Sequence, residues 1–362
     1  MAKDRREFLA GLQVPSDWNA CVFPRARNAL QTVFWNLHRQ RGRGDVALSA
    51  QICPLVVRLA NQAGFGTRFV DLSVSGPTPA PESFRSLLDS DVAAIIVSPL
   101  YGHLPGDWSV LESNSPQTGR PWIIVDLAQG LGLPCTDSFF HSADAIIYSF
   151  GLGKGLDCGG GLLLTNRQFT LPSRRTSGNT SHWGSLASAL ALRALMAVGV
   201  YQFLVSSMDS AIDADKSCDV PIGMELASDA AFSLWQSRLP RFLKEIARAR
   251  GRSQTLARTA AVAKNCRDLE VYSSARSTHL RQVLRLKDPG ARPAILEFLR
   301  RNGVDVTIAG EPLPFQYVQG IRPADMPNAC MFQNDSIKLP FLGRLSPSSF
   351  DSLTAKLEKS FA

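Results

Sequence analysis

Three side chains in this sequence have the types and positions to do chemistry together. Asp126 closes the apolar run "WIIVD", Ser149 closes "AIIYS", and Lys154 follows five residues later inside the glycine-rich "GLGKGLDCGGG". Lys154 is the only lysine between Lys3 and Lys216. An aspartate at the end of a buried strand is partly desolvated, and it stays ionised only beside a cation. A protonated pyridine nitrogen is such a cation. A glycine-rich turn lets the amides of residues 151–153 converge with the Ser149 hydroxyl on an anion such as a phosphate. A lysine confined near a cation becomes a nucleophilic amine able to form an imine. Aspartate, phosphate cradle and lysine together describe a pyridoxal phosphate site. Taken singly, each residue has a plainer reading. Asp126 can serve only as the N-cap of a helix begun by "DLAQGLG", Ser149 can be a turn residue, and Lys154 a solvated loop charge.

Chemistry of this kind needs strand ends brought side by side. The first half of the chain supplies them by alternating helical and extended patterns. "RARNALQTVFWNLHRQ" has helical spacing, "DVALS" is a short strand, "PLVVRLANQAG" a helix ending at a glycine, and "TRFVDL" a strand. Helix "PESFRSLLDS" and strands "VAAIIVS", "PWIIVDL" and "DAIIYSF" follow. These strands are continuous apolar runs, as expected of parallel strands covered on both faces. The alternation predicts an α/β domain, in which ligands bind beyond the carboxyl ends of the strands. An Arg/Ser/Gly/Thr-rich loop, "RRTSGNTSHWG", is followed by a helical segment over 185–206 and a second helical run from Glu225 to about Lys264. Strand "QVLRL", helix "ARPAILEFLRRNG" and helix "SPSSFDSLTAKLEKSF" predict a smaller C-terminal α+β domain. The expected division is a large α/β domain with an N-terminal arm over residues 1–210, and a helical connection with the small domain over 211–362.

Composition narrows the function classes. The chain has 362 residues, 45% of them hydrophobic and 19% charged, and a net charge of +8. That balance fits a soluble globular protein with a sizeable core. Of its 39 basic residues 30 are arginines, scattered in ones and twos with acidic residues between several of them. No basic block or aromatic-interleaved stripe appears, so the sequence predicts no nucleic-acid partner. The seven cysteines form no CxxC pair, which predicts reduced thiols in the cytoplasm. The start "DRREFLAGL" imitates a twin-arginine export signal but lacks the apolar stretch that must follow. Residues 185–206 are long enough to cross a bilayer but contain Arg193, so a buried helix rather than a membrane span is expected. The five histidines share no metal-ligand spacing, and no metal is predicted. His103, beside Tyr101 in "YGHLPGD", is a candidate substrate contact or simply a solvated loop histidine.

The residues also carry a family resemblance. "WIIVDLAQGLG" is similar to the "ieDaAqalG" signature of the DegT/DnrJ/StrS sugar aminotransferases, a fold-type I pyridoxal phosphate family. "YSFGLGK" resembles its "fSF...K" segment, and "SPLYGHLPGDW" its "hlyG.p.dm" element. "SDAAFSLWQSRLPRFLKEIARAR" is similar to "lqAAigl.qL.kld....rR", "FLRRNGVDV" to "L.e.GI", and "IKLPFLGRLSPSSF" to "lsLPlhp.Ls..e". The resemblance runs from about residue 20 to the C-terminus. It implies a fold-type I transferase with a mostly parallel central sheet, helices on both faces and a small α+β domain. It also implies a role for each matched position. Lys154 would form the imine with pyridoxal 5'-phosphate and later act as general acid/base, and Asp126 would pair with the pyridine nitrogen. Gln129 would flank the phenolic oxygen, and Ser149 would bind phosphate. "RARNAL" occupies the place of "sGTaAL", which makes Ala26 and Arg27 phosphate candidates at a helix N-terminus. Tyr101 and His103 are candidates for the substrate side.

Three departures from the family pattern stand out. Where the family stacks an aromatic ring on the cofactor this chain reads "SAQIC", placing Gln51 there; glutamine covers a ring face without aromatic stacking. The "G.NyrM" loop appears as "PIGMEL", with Ile222 at the asparagine position that reaches the neighbouring subunit's phosphate. "GEGG" is shortened to "CGGG" beside Cys158. The resemblance implies a homodimeric aminotransferase that moves an amino group, commonly from glutamate, to a keto-sugar on a nucleotide or a related scaffold. The departures leave open a different pyridoxal reaction, such as dehydration, racemisation or carbon–carbon bond formation, or a degenerate relative without catalysis.

Overall fold

The computed structural model describes residues 2–88, 91–104, 107–111, 120–133, 140, 142–151, 153–166, 228–262, 269–273, 277–310, 313–318 and 320–361. In chain order the elements of the larger body are α1 (Ala2–Gly11), β1 (Asn19–Phe23), α2 (Ala26–Arg41), β2 (Asp45–Ser49), α3 (Pro54–Gln62), β3 (Gly66–Val70), α4 (Pro81–Arg85), β4 (Ala94–Val97), β5 (Trp122–Leu127), β6 (Ala145–Ser149) and β7 (Gly161–Thr165). Then come α5 (Ser228–Val262), β8 (Leu269–Val271), β9 (Gln282–Leu286), α6 (Arg292–Arg301), β10 (Thr307–Ile308), α7 (Pro327–Asp335), β11 (Ser336–Leu339) and α8 (Pro347–Ser360).

The first seven strands form one sheet in the order β1-β7-β6-β5-β4-β2-β3. From β3 to β6 every pairing is parallel, while β7 runs antiparallel to both β6 and β1. The continuous apolar runs are explained by their surroundings, because alternate residues of each strand enter different cores. Ile123, Val125, Ile146, Tyr148, Leu162 and Leu164 face one cluster, and Trp122, Ile124, Ala145, Ile147 and Leu163 face the other. Each such side chain contributes roughly 1.5–3 kcal/mol by leaving water, and the pleat fixes which face each one takes. A third cluster lies in the smaller antiparallel sheet, β10-β11-β9-β8, where α6 and α8 pack. Helix α5 joins the two bodies: Phe232, Trp235, Leu239, Phe242 and Ile246 enter the large core, and Leu256 and Ala260 the small one.

The predicted helices and strands of the first half are present, with "PESFRSLLDS" helical only over Pro81–Arg85. The alternating reading passed over α1, β1 and β7. Helix α1 is held by Phe8, which is fully buried and packs within 5.8 Å of the ring centroids of Phe150 and Phe232. β1 has one strand neighbour, β7, and only Val22 and Phe23 of its five residues are buried, so its apolar signal is short. "DLAQGLG" is a turn and not a helix: the Asp126 side chain caps the Ala128 amide, and residues 128–133 turn sharply. Cys21, Cys53, Cys158 and Cys330 are free thiols. Among the described residues no helix is long and apolar enough to cross a membrane. The helical reading of 185–206, the loop before it, the expected boundary at residue 210 and Ile222 lie outside the described residues.

One buried ion pair locks the strand that carries Asp126. Arg120 donates to both carboxylate oxygens of Asp144, at 2.9 and 3.1 Å. Asp144 Oδ2 also accepts from the Ile123 amide at 2.8 Å, so one side chain ties the start of β5 to the start of β6. Asp144 is 1% exposed, and removing one partner of such a pair leaves an uncompensated charge in the core. Asp144→Ala is expected to lower unfolding stability by about 3–5 kcal/mol, as urea denaturation would measure. A loss under about 1 kcal/mol, typical of exposed pairs, would show that the pair is not structural.

Candidate active site

The parallel strands end at one edge of the sheet, and the candidate residues collect there. Asp126 lies on β5 one residue before its end and is 8% exposed. Its Oδ1 accepts from the Ala128 amide at 3.0 Å. Burial pushes its pKa upward, and the Ala128 amide and the Lys154 charge pull it back. The Lys154 charge is the weakest of these three influences, and Lys154 itself lies in the turn beyond β6, the strand that pairs with β5.

Lys154 is half-buried in the turn that follows β6. Its backbone amide donates to the Gly151 carbonyl at 3.0 Å, and the Gly153 amide donates to Asp157 Oδ1 at 2.7 Å. The turn closes on Phe150, whose carbonyl accepts from the Cys158 and Gly159 amides and whose amide donates to Gly160. Gly155 has φ +99°, and a Cβ there would come within 2.8 Å of Phe242 Cζ. A side chain at 155 would thus push the lysine turn away from α5.

Ser149 and Ala26 each lie beside Gly161 of β7. Ser149 is the register partner of Gly161, and a Cβ on Gly161 would lie 2.5 Å from the Ala26 nitrogen. The missing side chain is what lets the start of α2 approach the start of β7. At that start, Arg25 is extended and makes no side-chain cap, and the first turn contains no acidic residue. Ala26 and Arg27 are both half-buried there. An uncapped N-terminus carries partial positive charge and converging N–H donors, which suits a phosphate.

Gln129, Tyr101 and Gln51 are linked to one another. The Tyr101 amide donates to Gln129 Oε1 at 3.0 Å, and Gln51 Nε2 donates to the Tyr101 hydroxyl at 3.2 Å. The Gly310 amide donates to the same hydroxyl at 3.1 Å, so the small domain closes over this chain. Tyr101 has φ +57°, a left-handed conformation unusual for a bulky side chain. Gln51 is 3% exposed, and its Oε1 has no partner among the described residues. His103 is not a solvated loop histidine. It is 3% exposed and meets His279 edge-on at 4.8 Å between centroids. Burial, reinforced by His279, lowers its pKa to about 3. Its backbone continues from Tyr101, but its ring sits in a buried polar cluster with Tyr272 and His279.

The residues fit pyridoxal phosphate as a donor set. They supply a buried carboxylate for a ring nitrogen, an amine within electrostatic reach of it, and a glycine-floored cradle at an uncapped helix start. Sequence reading missed the residues behind the lysine turn. Arg344, Glu245 and Arg238 line a cavity of about 250 Å³ with Gly155, Leu156 and Phe242. The partners Asp157 and Arg344 stand 187 positions apart, and no local pattern pairs them.

The raised pKa of Asp126 sets a sign. A carboxyl that holds its proton more tightly folded than unfolded contributes stability at low pH, and that contribution is lost as pH rises through the folded value. Without cofactor, Asp126→Asn is expected to raise the urea midpoint at pH 7, with the difference vanishing below about pH 4, the unfolded pKa. A variant less stable than wild type at both pH values would contradict the burial of an uncompensated charge.

No family model matches the chain, and no curated protein matches it in sequence. Solved structures do match it along almost its whole length. The putative sugar aminotransferase Spr1654 from Streptococcus pneumoniae, in its PMP form, superposes with a TM-score of 0.68 at 15% identity, over 99% of this chain and 91% of that one. Helicobacter pylori PseC, an aminotransferase of pseudoaminic acid biosynthesis, gives 0.70 at 16%, over 99% and 90%. DesI, in the presence of its TDP-sugar product, gives 0.68 at 16%, over 99% and 84%. At such identities the likeness speaks for architecture, and the chain has the fold of these sugar aminotransferases.

Proposed function

We propose that this protein is a pyridoxal phosphate-dependent aminotransferase that moves an amino group, from glutamate, onto a keto-sugar carried by a nucleotide. The observation that carries the reading is the buried carboxylate of Asp126 near the end of β5, with Ser149 and Lys154 at and beyond the end of the adjacent strand β6 and the start of α2 left without a side-chain cap. The likeness to DesI, described with its TDP-sugar product, supports the substrate class, and the likeness to Spr1654 in its PMP form supports the cofactor.

Each residue has a task in this reading. Lys154 would hold the aldehyde carbon of the cofactor, and Asp126 would keep its pyridine nitrogen protonated. Ser149 with the amides of Ala26 and Arg27 holds the phosphate. Gln129 borders the phenolic oxygen, Gln51 covers the ring face, and Tyr101 orients both glutamines. When bound, pyridoxal phosphate supplies an electron sink for the carbon that loses its proton. Asp126 sustains that sink, because its carboxylate keeps the ring nitrogen cationic. The Lys154 amine would serve as the general acid/base that moves the proton at that carbon. His103, neutral and buried, orders the wall behind Tyr101. The donor–acceptor cycle is ping-pong, with glutamate leaving as its keto acid before the sugar enters. The expected compartment is the reducing cytoplasm, and the expected assembly is a homodimer, which light scattering would test.

Purified protein given pyridoxal phosphate is expected to show a band near the visible edge that borohydride abolishes. Lys154→Ala should lack it, and glutamate should convert the wild-type band to that of the amine form. A protein that takes up no cofactor would end the reading. Gln51 in place of an aromatic ring favours, as a second reading, another pyridoxal reaction such as racemisation, dehydration or carbon–carbon bond formation. Cofactor uptake with no conversion by any common amino donor would select it.

A further inference from the structure

The turn that carries Lys154 is gripped from behind by one arginine. Arg344 donates from Nε to Glu245 Oε2 at 2.9 Å, from Nη1 to Asp157 Oδ2, and from Nη2 to the Gly155 carbonyl. One guanidinium thus joins α5 to the residue after Lys154 and to the carboxylate that closes the turn. Asp157 passes the grip on, since its other oxygen accepts from the Gly153 amide at 2.7 Å. The residues on both sides of Lys154 are therefore held through Arg344.

The surroundings are built for this contact. Glu245 is 4% exposed and Asp157 is 9% exposed at its side chain, so both carboxylates are largely withdrawn from water and depend on a cation. Asp157 has φ +52°, a left-handed conformation that persists only where its surroundings over-determine it. Gly343, next to the arginine, lies so close to α5 that a Cβ there would stand 2.0 Å from the Glu245 carbonyl. Only glycine lets this segment deliver Arg344 to the turn. Arg238 adds a second hold, donating to the Leu156 carbonyl at 3.1 Å. Arg241 also pairs with Glu245, but from a side chain that is 78% exposed.

We propose that Arg344 is the positioning residue that aims Lys154 at Asp126, clamping the lysine turn to α5 through Asp157 and Glu245. The inference rests on the pyridoxal phosphate reading of Lys154. A lysine at 344 would not replace it, because three acceptors in three directions need a planar fork and not a point charge.

The test compares wild type with Arg344→Gln, Arg344→Lys, Asp157→Asn and Arg241→Ala, all as the full chain. Amide hydrogen exchange is read without cofactor, and the pH midpoint of the cofactor–lysine absorbance band after loading with pyridoxal phosphate. Arg344→Gln is expected to speed exchange of residues 153–158 on the order of tenfold, with β4 and β5 unchanged. It should also move the midpoint upward, since a cation is lost and the Asp157 carboxylate uncovered. Arg344→Lys should recover only part of each effect, and Arg241→Ala should behave as wild type. Asp157→Asn should loosen the same turn, and should report on it even if the Arg344 variants fail to fold. Wild-type exchange in the turn overturns the proposal, as does loosening spread evenly over the chain or an unmoved midpoint. A wild type that takes up no pyridoxal phosphate overturns the functional reading alone, and the exchange data then still decide whether the clamp exists.

Discussion

A carboxylate buried at the end of a strand needs a positive charge, and the architecture of this protein is arranged around that need. Asp126 is nearly out of water, so burial favours its protonated form, and one backbone amide and the Lys154 ammonium oppose this. The amide is local, two residues along the chain, but the lysine is not. The lysine arrives only because β6 runs parallel to β5 and ends beside it, with Asp126 paired to Ile147 and Leu127 to Tyr148. The same register sets Ser149 next in line. A slip of one residue would turn Asp126 to the opposite face of the sheet. The Arg120–Asp144 pair at the other end of these strands fastens both of them, so a structural ion pair at the start of β5 and β6 holds the register that sets Asp126 and Ser149 near their close.

Two glycines do comparable work on either side of Ser149 and Lys154. Gly161 removes the side chain that would separate β7 from the first turn of α2, and Gly155 removes the one that would press against Phe242. In both places a backbone must approach another element more closely than any Cβ permits. The consequence is close main-chain packing at both places, with the N–H groups at the start of α2 left without a side-chain cap, while the Gly153, Lys154, Cys158 and Gly159 amides of the turn after β6 are already bonded within it.

Much of the larger body was legible because burial on both faces writes itself into sequence as unbroken apolar runs. β4, β5 and β6 read directly for that reason, and the aspartate, serine and lysine at or beyond their ends followed from position alone. β7 carries the same signal, with all five residues of "GLLLT" buried, and was passed over because it breaks the helix–strand alternation; most of the rest that escaped notice lacked such a signal. β1 buries two of its five residues and finds β7 some 140 positions away, so nothing in "NACVF" announces a partner. His103 sits in a glycine- and proline-flanked loop that looks solvated, yet tertiary packing against His279 and Tyr272 buries it. Arg344, Asp157 and Glu245 are ordinary surface types whose proximity depends on the docking of the C-terminal region against α5.

The glutamine at position 51 shows how a departure from a family pattern can be compensated. An aromatic ring would hold itself in place by stacking and needs no hydrogen bonds. A buried glutamine brings polar atoms that must be satisfied, and the structure answers with Tyr101. The strained backbone of that residue places its amide on Gln129 and its hydroxyl between Gln51 and Gly310. Three loops and the small domain are thereby joined by directional contacts where dispersion would otherwise suffice. One atom is left over. Gln51 Oε1 is buried with no partner among the described residues, and such an acceptor costs about 1–3 kcal/mol until something donates to it. The glutamine therefore costs the fold something an aromatic ring does not, and the hydrogen bond from its Nε2 to Tyr101 offsets only part of it.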